Sequence, residues 1–217
     1  MQKHLSDASN KNSMKLVFAT SNKGKLREAQ EILGEGFELL TPSDLGIDSD
    51  IPETGDTLAE NSAQKARFVY ERCGLDCFAD DTGLEVDGLN GAPGVHTARY
   101  ASEVAERDGL APVASHDFAA NIRTLLRELS LHPGASRKAR FRTSVTLILS
   151  GKEYSFDGTM EGRIADSEAG CGGFGYDPVF ISDEYPDRTV AEIPEETKNS
   201  ISHRGKALRA MAEFLKK

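Results

Sequence analysis

Two aspartates stand side by side in Phe78-Ala79-Asp80-Asp81-Thr82-Gly83, where a short apolar run ends. Adjacent carboxylates beside a buried run are costly: each resists desolvation and each disfavours the other's charge. A divalent cation relieves both problems, because hard metal ions prefer carboxylate oxygen. One Asp could then bind metal while the same or the neighbouring Asp takes a proton from water. A plain turn uses the same residue types, since Asp, Thr and Gly are ordinary turn formers.

Cations and aromatics recur elsewhere at spacings that suit a phosphorylated ligand. Thr20-Ser21-Asn22-Lys23-Gly24-Lys25 lies between a strand-like run and a helical pattern. Such a loop gathers backbone N–H groups and the positive helix end at one point, a ready anion site. Its glycine spacing is not that of a P-loop, and a solvated basic turn is the plainer alternative. Asn61 and Lys65 are four apart, so they share a helix face. Facing the acidic stretch, Lys65 would meet any anion the metal holds; spacing alone favours a solvated face. Gly170-Cys171-Gly172-Gly173-Phe174-Gly175-Tyr176-Asp177 lets backbone approach a ligand, with aromatics able to stack on a flat ring. A glycine turn with core aromatics would look the same. Lys198, His203 and Arg204 crowd the start of the last helix, where the dipole disfavours cations; a ligand that compensates them is expected.

The elements that must carry these groups follow from periodicity and punctuation. Residues 15–19 read as a buried strand, followed by a helix with Leu26, Ala29, Ile32 and Leu33 inward that stops at Gly34. Residues 37–40 suggest a second strand, and 41–56 a loop carrying Glu53-Thr54-Gly55. Thr57-x-x-Glu60 is a capping box opening a helix to about Arg72, with Ala59, Ala63, Ala66 and Val69 as its packed stripe. Residues 88–100 read as a folded loop, and 101–116 carry little signal. Asp117 caps a helix striped by Phe118, Ile122, Leu125, Leu126 and Leu129. Residues 140–150 and 154–159 form the best hairpin signal, a strand resumes at 178–181, and Ser202 caps the final helix.

The 217 residues suit a single two-lobed domain over 14–217 after a flexible extension at 1–13. A net charge of −9 argues against a nucleic-acid partner. No apolar run approaches a membrane span and no signal peptide is visible, so no membrane and a cytoplasmic location are expected. Cys73, Cys77 and Cys171 are expected to be reduced, packed thiols.

Thr20–Lys25, Glu53-Thr-Gly55, Glu60-Asn-x-x-x-Lys65, Ala79-Asp-Asp-Thr-Gly83, Gly91-Ala-Pro-Gly-x-x-x-Ala-Arg-Tyr100, Gly172-Gly-Phe-Gly-Tyr-Asp-Pro178 and Ser202-His-Arg-Gly205 occur in one order. From about Lys15 onward the chain resembles the inosine triphosphate pyrophosphatase family, the dITP/XTP pyrophosphatases. The resemblance implies an α/β fold: an elongated mixed β-sheet with flanking helices and two lobes around a central cleft. It implies a homodimer that uses Mg²⁺ to hydrolyse the non-canonical purine nucleoside triphosphates ITP, dITP and XTP to monophosphate and pyrophosphate. Thr20, Ser21, Asn22, Lys23, Gly24 and Lys25 would bind the triphosphate, with Lys65 adding charge. Glu53 and Asp81 would hold Mg²⁺ with Asp80 nearby, and Asp81 would also activate the attacking water. Thr82 stands where serine is common. Phe174, within Phe174-Gly175-Tyr176, would stack on the purine, and Asp177, Lys198, His203 and Arg204 would surround its edge. The chain departs from the family's pattern in its N-terminal extension and at 101–116. Two alternatives stand beside this: a relative acting on modified pyrimidine or canonical nucleotides, and a nucleotide-binding regulator.

Overall fold

The computed structural model describes residues 13–217, so the expected extension at 1–13 lies, but for Ser13, outside the described residues. Strand β1 (Met14–Phe18) is the buried run expected there, and α1 (Lys23–Leu33) follows it directly. The Asn22 side chain caps α1, and Gly34 ends it at φ 75°. Strand β2 (Phe37–Leu40) returns parallel to β1. The Thr57/Glu60 capping box opens α2 (Leu58–Cys73) as its sequence requires. Its buried face is Leu58, Asn61, Ser62, Lys65, Ala66 and Val69. Ala59, expected in the stripe, is exposed, and the Asn61/Lys65 face, expected in solvent, packs inward.

Strand β3 (Cys77–Val86) is ten residues long and runs straight through the acidic pair. The pair is therefore neither a turn nor a strand end. β4 (Pro93–Gly94) is a two-residue pairing inside the irregular 88–100 region. α3 (Tyr100–Arg107) occupies part of the stretch that carried little signal. α4 (Phe118–Ser130) begins at its Asp117 cap. β5 (Lys138–Leu149) and β6 (Lys152–Ile164) form the hairpin, joined by Ser150 and Gly151 at φ 49° and 75°, the mirror-image turn that matches strand twist. β6 outruns the expected 154–159 at both ends, and β5 starts two residues before the expected 140 and ends one before 150. Every residue of β3 pairs with β5, and this register holds the strands extended through positions that propensity left open. A single 3-10 turn at Asp177–Val179 delays β7 to Phe180–Ser182. α5 (Glu195–Ile201) and α6 (His203–Leu215) close the chain, α6 capped by Ser202.

The sheet order is β2-β1-β3-β5-β6-β7, with β4 on β3. β1 pairs in parallel with β2 and β3, and the remaining pairings are antiparallel. The long strands carry separate cores at their two ends. At one end Leu84, Val86, Phe141, Met160 and Ile164 pack with Tyr100, Val104, Ile122 and Leu125 of α3 and α4. At the other, alternation divides the residues between faces. Phe78, Val145 and Leu147 lie under α1 and α6. Cys77, Ala79 and Ile148 lie under α2. These are the two lobes, and the acidic pair falls between them. β1 pairs with β3 only at Cys77 and Phe78, while β4 begins pairing at Leu84. The edge of β3 is thus open beside Asp80, Asp81 and Thr82, just past the carboxyl end of β1, where open α/β sheets bind ligands. Among the described residues no helix is long and apolar enough to cross a membrane. Cys77 is buried and Cys73 half-buried, but Cys171 is exposed rather than packed.

Candidate active site

Consecutive strand residues point to opposite faces, so the pleat of β3 separates the two aspartates. Asp80 follows Phe78 toward α1 and α6. Its Oδ1 accepts from Lys25 Nζ at 3.0 Å, and its Oδ2 from Arg204 Nε at 2.9 Å. Arg204 also pairs with buried Glu28, and its Nη2 reaches Thr82 Oγ1 at 3.4 Å. Thr82 Oγ1 in turn meets Thr143 Oγ1 at 2.7 Å across the strand pair. Asp80 is 1% exposed. Burial alone would raise its pKa, but Lys25, Arg204 and Lys65 outweigh it and hold the carboxyl far below its ordinary value. Burial lowers Lys25.

Asp81 follows Ala79 toward α2. Its Oδ1 accepts from Lys65 Nζ at 3.2 Å and its Oδ2 from Asn61 Nδ2 at 3.1 Å. Lys65 also donates to Glu53. Asn61 Oδ1 accepts from Gly55 N at 2.7 Å, and Gln64 Oε1 from Thr54 N at 2.9 Å, which pins the Glu53-Thr54-Gly55 loop on α2. A side chain at Gly55 would collide with Glu60, its Cβ coming 2.6 Å from that residue's Cβ. Burial raises the Asp81 pKa, with Glu53 and Asp80 adding to it, against the pull of Lys65 and Lys25. For Lys65 burial is outweighed by Asp81, Asp80 and Glu53, and its pKa rises. For Glu53 burial is outweighed by Lys65, and its pKa falls.

Across the open edge lies a second polar group. Asp177 Oδ2 accepts from Phe174 N at 2.8 Å and from Lys198 Nζ at 2.6 Å. Gly173 stands at φ 73°, where a Cβ would come 2.1 Å from Asp177 Oδ2, so only glycine fits. Phe174 is 43% exposed, with Lys198 Nζ 4.5 Å and Arg204 Cζ 5.8 Å from its ring centre. An exposed aromatic flanked by cations is available for stacking. Tyr176 is instead buried, its hydroxyl donating to Thr97 O at 3.0 Å. His203 lies flat on Phe141, ring centres 4.8 Å apart. Burial, then Arg204 and Lys198, lowers its pKa well below the usual value, so the ring is neutral near pH 7. Its Nδ1 is buried with no partner among the described residues. The crowded cations at the start of α6 are therefore answered from within: Lys198 by Asp177, Arg204 by Asp80 and Glu28. The expected external counter-charge is not required.

One cavity joins both groups. Asn22, Lys25, Glu53, Asp81, Thr82, Phe174, Gly175, Tyr176, Asp177, Lys198, His203 and Arg204 line it. Thr20, Ser21, Lys23, Lys65 and Asp80 do not, and Gly24 borders an adjoining pocket with Gly172, Gly173 and Phe174. Thr20 Oγ1 accepts from Asn22 N at 3.1 Å, and Asn22 Oδ1 from Gly24 N and Lys25 N at 2.9 and 3.1 Å, so these side chains shape the loop. Glu28, Thr97, Ala98, His116, Phe118 and Phe141 also line the cavity and were not singled out as site residues. Glu28 had a readable signal, lying one turn beyond Lys25 on the same helix face. The others had none.

Among the described residues no three His, Cys, Asp or Glu side chains converge as a metal cage. Two do converge, Glu53 and Asp81, on the single Lys65 ammonium. Two carboxylates fit Mg²⁺, which leaves its remaining positions to water and substrate phosphate.

Residues 16–214 match the model of the Ham1 family. The dITP/XTP pyrophosphatase of Porphyromonas gingivalis is 49% identical over 201 residues, 93% of this chain and 97% of that protein. The dITP/XTP pyrophosphatase of Flavobacterium johnsoniae is 45% identical over 202 residues, 93% of this chain and 98% of the other. The solved HAM1 protein of Coxiella burnetii aligns with a TM-score of 0.82 at 34% identity, covering 94% of this chain and 98% of that one.

Proposed function

Because this chain belongs to the Ham1 family, we propose that it hydrolyses the non-canonical purine nucleoside triphosphates ITP, dITP and XTP to monophosphate and pyrophosphate. One observation carries the reading: a single cavity runs from the Glu53/Asp81 carboxylate pair and Lys25 to an exposed aromatic flanked by cations. The first end suits a metal-bound triphosphate and the second a polar purine.

Asp81 is the general base. Burial raises its proton affinity, so its carboxylate takes a proton from water more readily than a solvated one. Lys65 and Asn61 fix its two oxygens. Mg²⁺, held by Glu53 and Asp81, would supply positive charge to the phosphates. Lys25 faces the same cavity and stabilises the phosphate charge that develops during attack at the α-phosphorus. Asp80 is the counter-ion that holds Lys25 and Arg204, and because it is buried and does not line the cavity it is not assigned as a metal ligand.

Phe174 stacks on the base, and Arg204 and Lys198 present donors at its edge. Hypoxanthine and xanthine carry an acceptor at C6, whereas adenine carries a donor there. A polar pocket left mispaired can reject an analogue by ~10⁴ or more. The reading includes a cytoplasmic homodimer. Its test is product analysis with ITP and Mg²⁺, and with GTP, ATP and dUTP alongside. Pyrophosphate from ITP and XTP in preference to the others supports it; orthophosphate, or a preference for ATP or dUTP, overturns it.

A further inference from the structure

The nucleotide reading leaves one wall of the cavity without a role. Thr97 and Ala98, before α3, and His116 and Phe118, at the start of α4, build it. His116 stands at φ 66°, in the left-handed region that is strained for a residue with a Cβ. Its backbone is held there firmly. His116 N donates to Ala98 O at 2.9 Å. Buried Asn121 donates Nδ2 to the same carbonyl at 3.1 Å and accepts from Ala101 N at 2.8 Å. Asp117 then caps α4 through Ala120 N at 2.9 Å.

Glycine would suit this backbone better, so the ring needs another reason to be there. Core packing does not supply one, because His116 is exposed and only edge-on to Phe118, 6.2 Å between ring centres. Its Nδ1 meets Ser115 Oγ at 2.9 Å, and its Nε2 has no partner among the described residues. Either tautomer leaves Nε2 able to pair with a hydroxyl, which both donates and accepts.

The wall is tied to both ends of the cavity. Tyr176 Oη donates to Thr97 O at 3.0 Å, joining it to the loop that carries Phe174 and Asp177. Leu84 N donates to Thr97 Oγ1 at 2.8 Å, joining it to the strand that carries Asp81. A wall between a base site and a phosphate site faces the sugar. Ala98 and Phe118 offer it apolar surface, and His116 one polar atom. The name of the relatives pairs a deoxyribonucleotide with a ribonucleotide, and the free hydroxyl common to both sugars is the 3′ one. We propose that His116 binds the sugar of the substrate at its 3′-hydroxyl through Nε2. This rests on the nucleotide reading above.

Steady-state kinetics on the full chain tests it, with dITP and 2′,3′-dideoxy-ITP as substrates. His116→Gly relieves the backbone and removes the ring, so misfolding is not the expected outcome. Its KM for dITP should rise about tenfold, the scale of one hydrogen bond, with kcat within about twofold. On the dideoxy substrate the gap between parent and variant should close. His116→Asn, which tolerates this backbone and keeps a polar group, should recover part of the loss. An unchanged KM for dITP, or an equal rise on both substrates, overturns the assignment while the parent's turnover still supports the nucleotide reading. A parent that fails to hydrolyse dITP removes both.

Discussion

Asp80 and Asp81 share a residue type, a strand and a peptide bond, yet the fold drives their chemistry in opposite directions. On the Asp80 face, two cations sit within hydrogen-bond reach and solvent is excluded, so the carboxyl stays charged at neutral pH. On the Asp81 face, one shared lysine serves two carboxylates, 13% of the Asp81 side chain stays accessible, and burial pushes its pKa up. A fully satisfied carboxylate is a fastener. One that shares a single lysine with a second carboxylate, beside an open strand edge, is available to a metal or a proton. On the proposed reading, function resides where the charge balance is left incomplete.

Four experiments bear on this contrast, from the largest expected effect down. Asp81→Asn keeps the shape but cannot accept a proton, and kcat with Mg²⁺ should fall by roughly 10²–10⁴. Unfolding by urea should move by less than about 1 kcal/mol, the usual scale for a replacement that buries no new unpaired charge. An undiminished kcat removes Asp81 from the chemistry.

Asp80→Asn should show the reverse emphasis. It leaves Lys25 and Arg204 with one fewer buried counter-charge, a loss of about 3–5 kcal/mol in stability. A variant as stable as the parent would mean that Asp80 is not the fastener described here.

Titration separates the pair further. In the metal-free protein, carboxyl NMR should place Asp80 below and Asp81 above the ordinary 3.8. The sign follows from linkage: a carboxyl depressed in the folded state stabilises above its unfolded pKa and loses that contribution as pH falls through the folded value. The stability gap between parent and Asp80→Asn should therefore narrow as the pH drops below 3.8. A gap that stays constant down to acid unfolding would contradict this.

Asn61→Ala is the mildest of the four. It frees one oxygen of Asp81 and unpins Gly55. About a tenfold loss in kcat/KM is expected, the scale of one or two hydrogen bonds. A loss confined to stability, with kcat/KM intact, would reduce Asn61 to a structural link.

Much of this was readable before any fold was known. The caps of α2, α4 and α6 rest on Thr57, Asp117 and Ser202, whose side chains satisfy N–H groups only a few residues away. Short-range chemistry of that kind needs no tertiary information. The hairpin turn at Ser150-Gly151 is equally local. Of the cavity-lining candidates, Lys25, Asp81 and Phe174 were within reach because their residue types suit phosphate, metal or base, and Asn22 and Glu53 through the family resemblance.

Other features were out of reach for identifiable reasons. Asp-Asp-Thr-Gly reads locally as a turn; only pairing of all ten β3 residues with β5 keeps it extended. Without the strand there is no alternation, and without alternation nothing places Asp80 and Asp81 on different faces. Spacing put Asn61 and Lys65 on one side of α2, but not which side would be buried. Cys171 was expected to pack and is exposed, because the glycine loop around it lies at the surface.

By itself, then, the sequence determined which groups were available and where α2, α4 and α6 began, since both depend on residue type and on neighbours within about one turn. The tertiary structure alone decided which carboxylate is neutralised by two cations and which is left facing the cavity. That outcome depends on cations supplied by α1, α2 and α6 across long chain separations, and on the solvent those helices exclude.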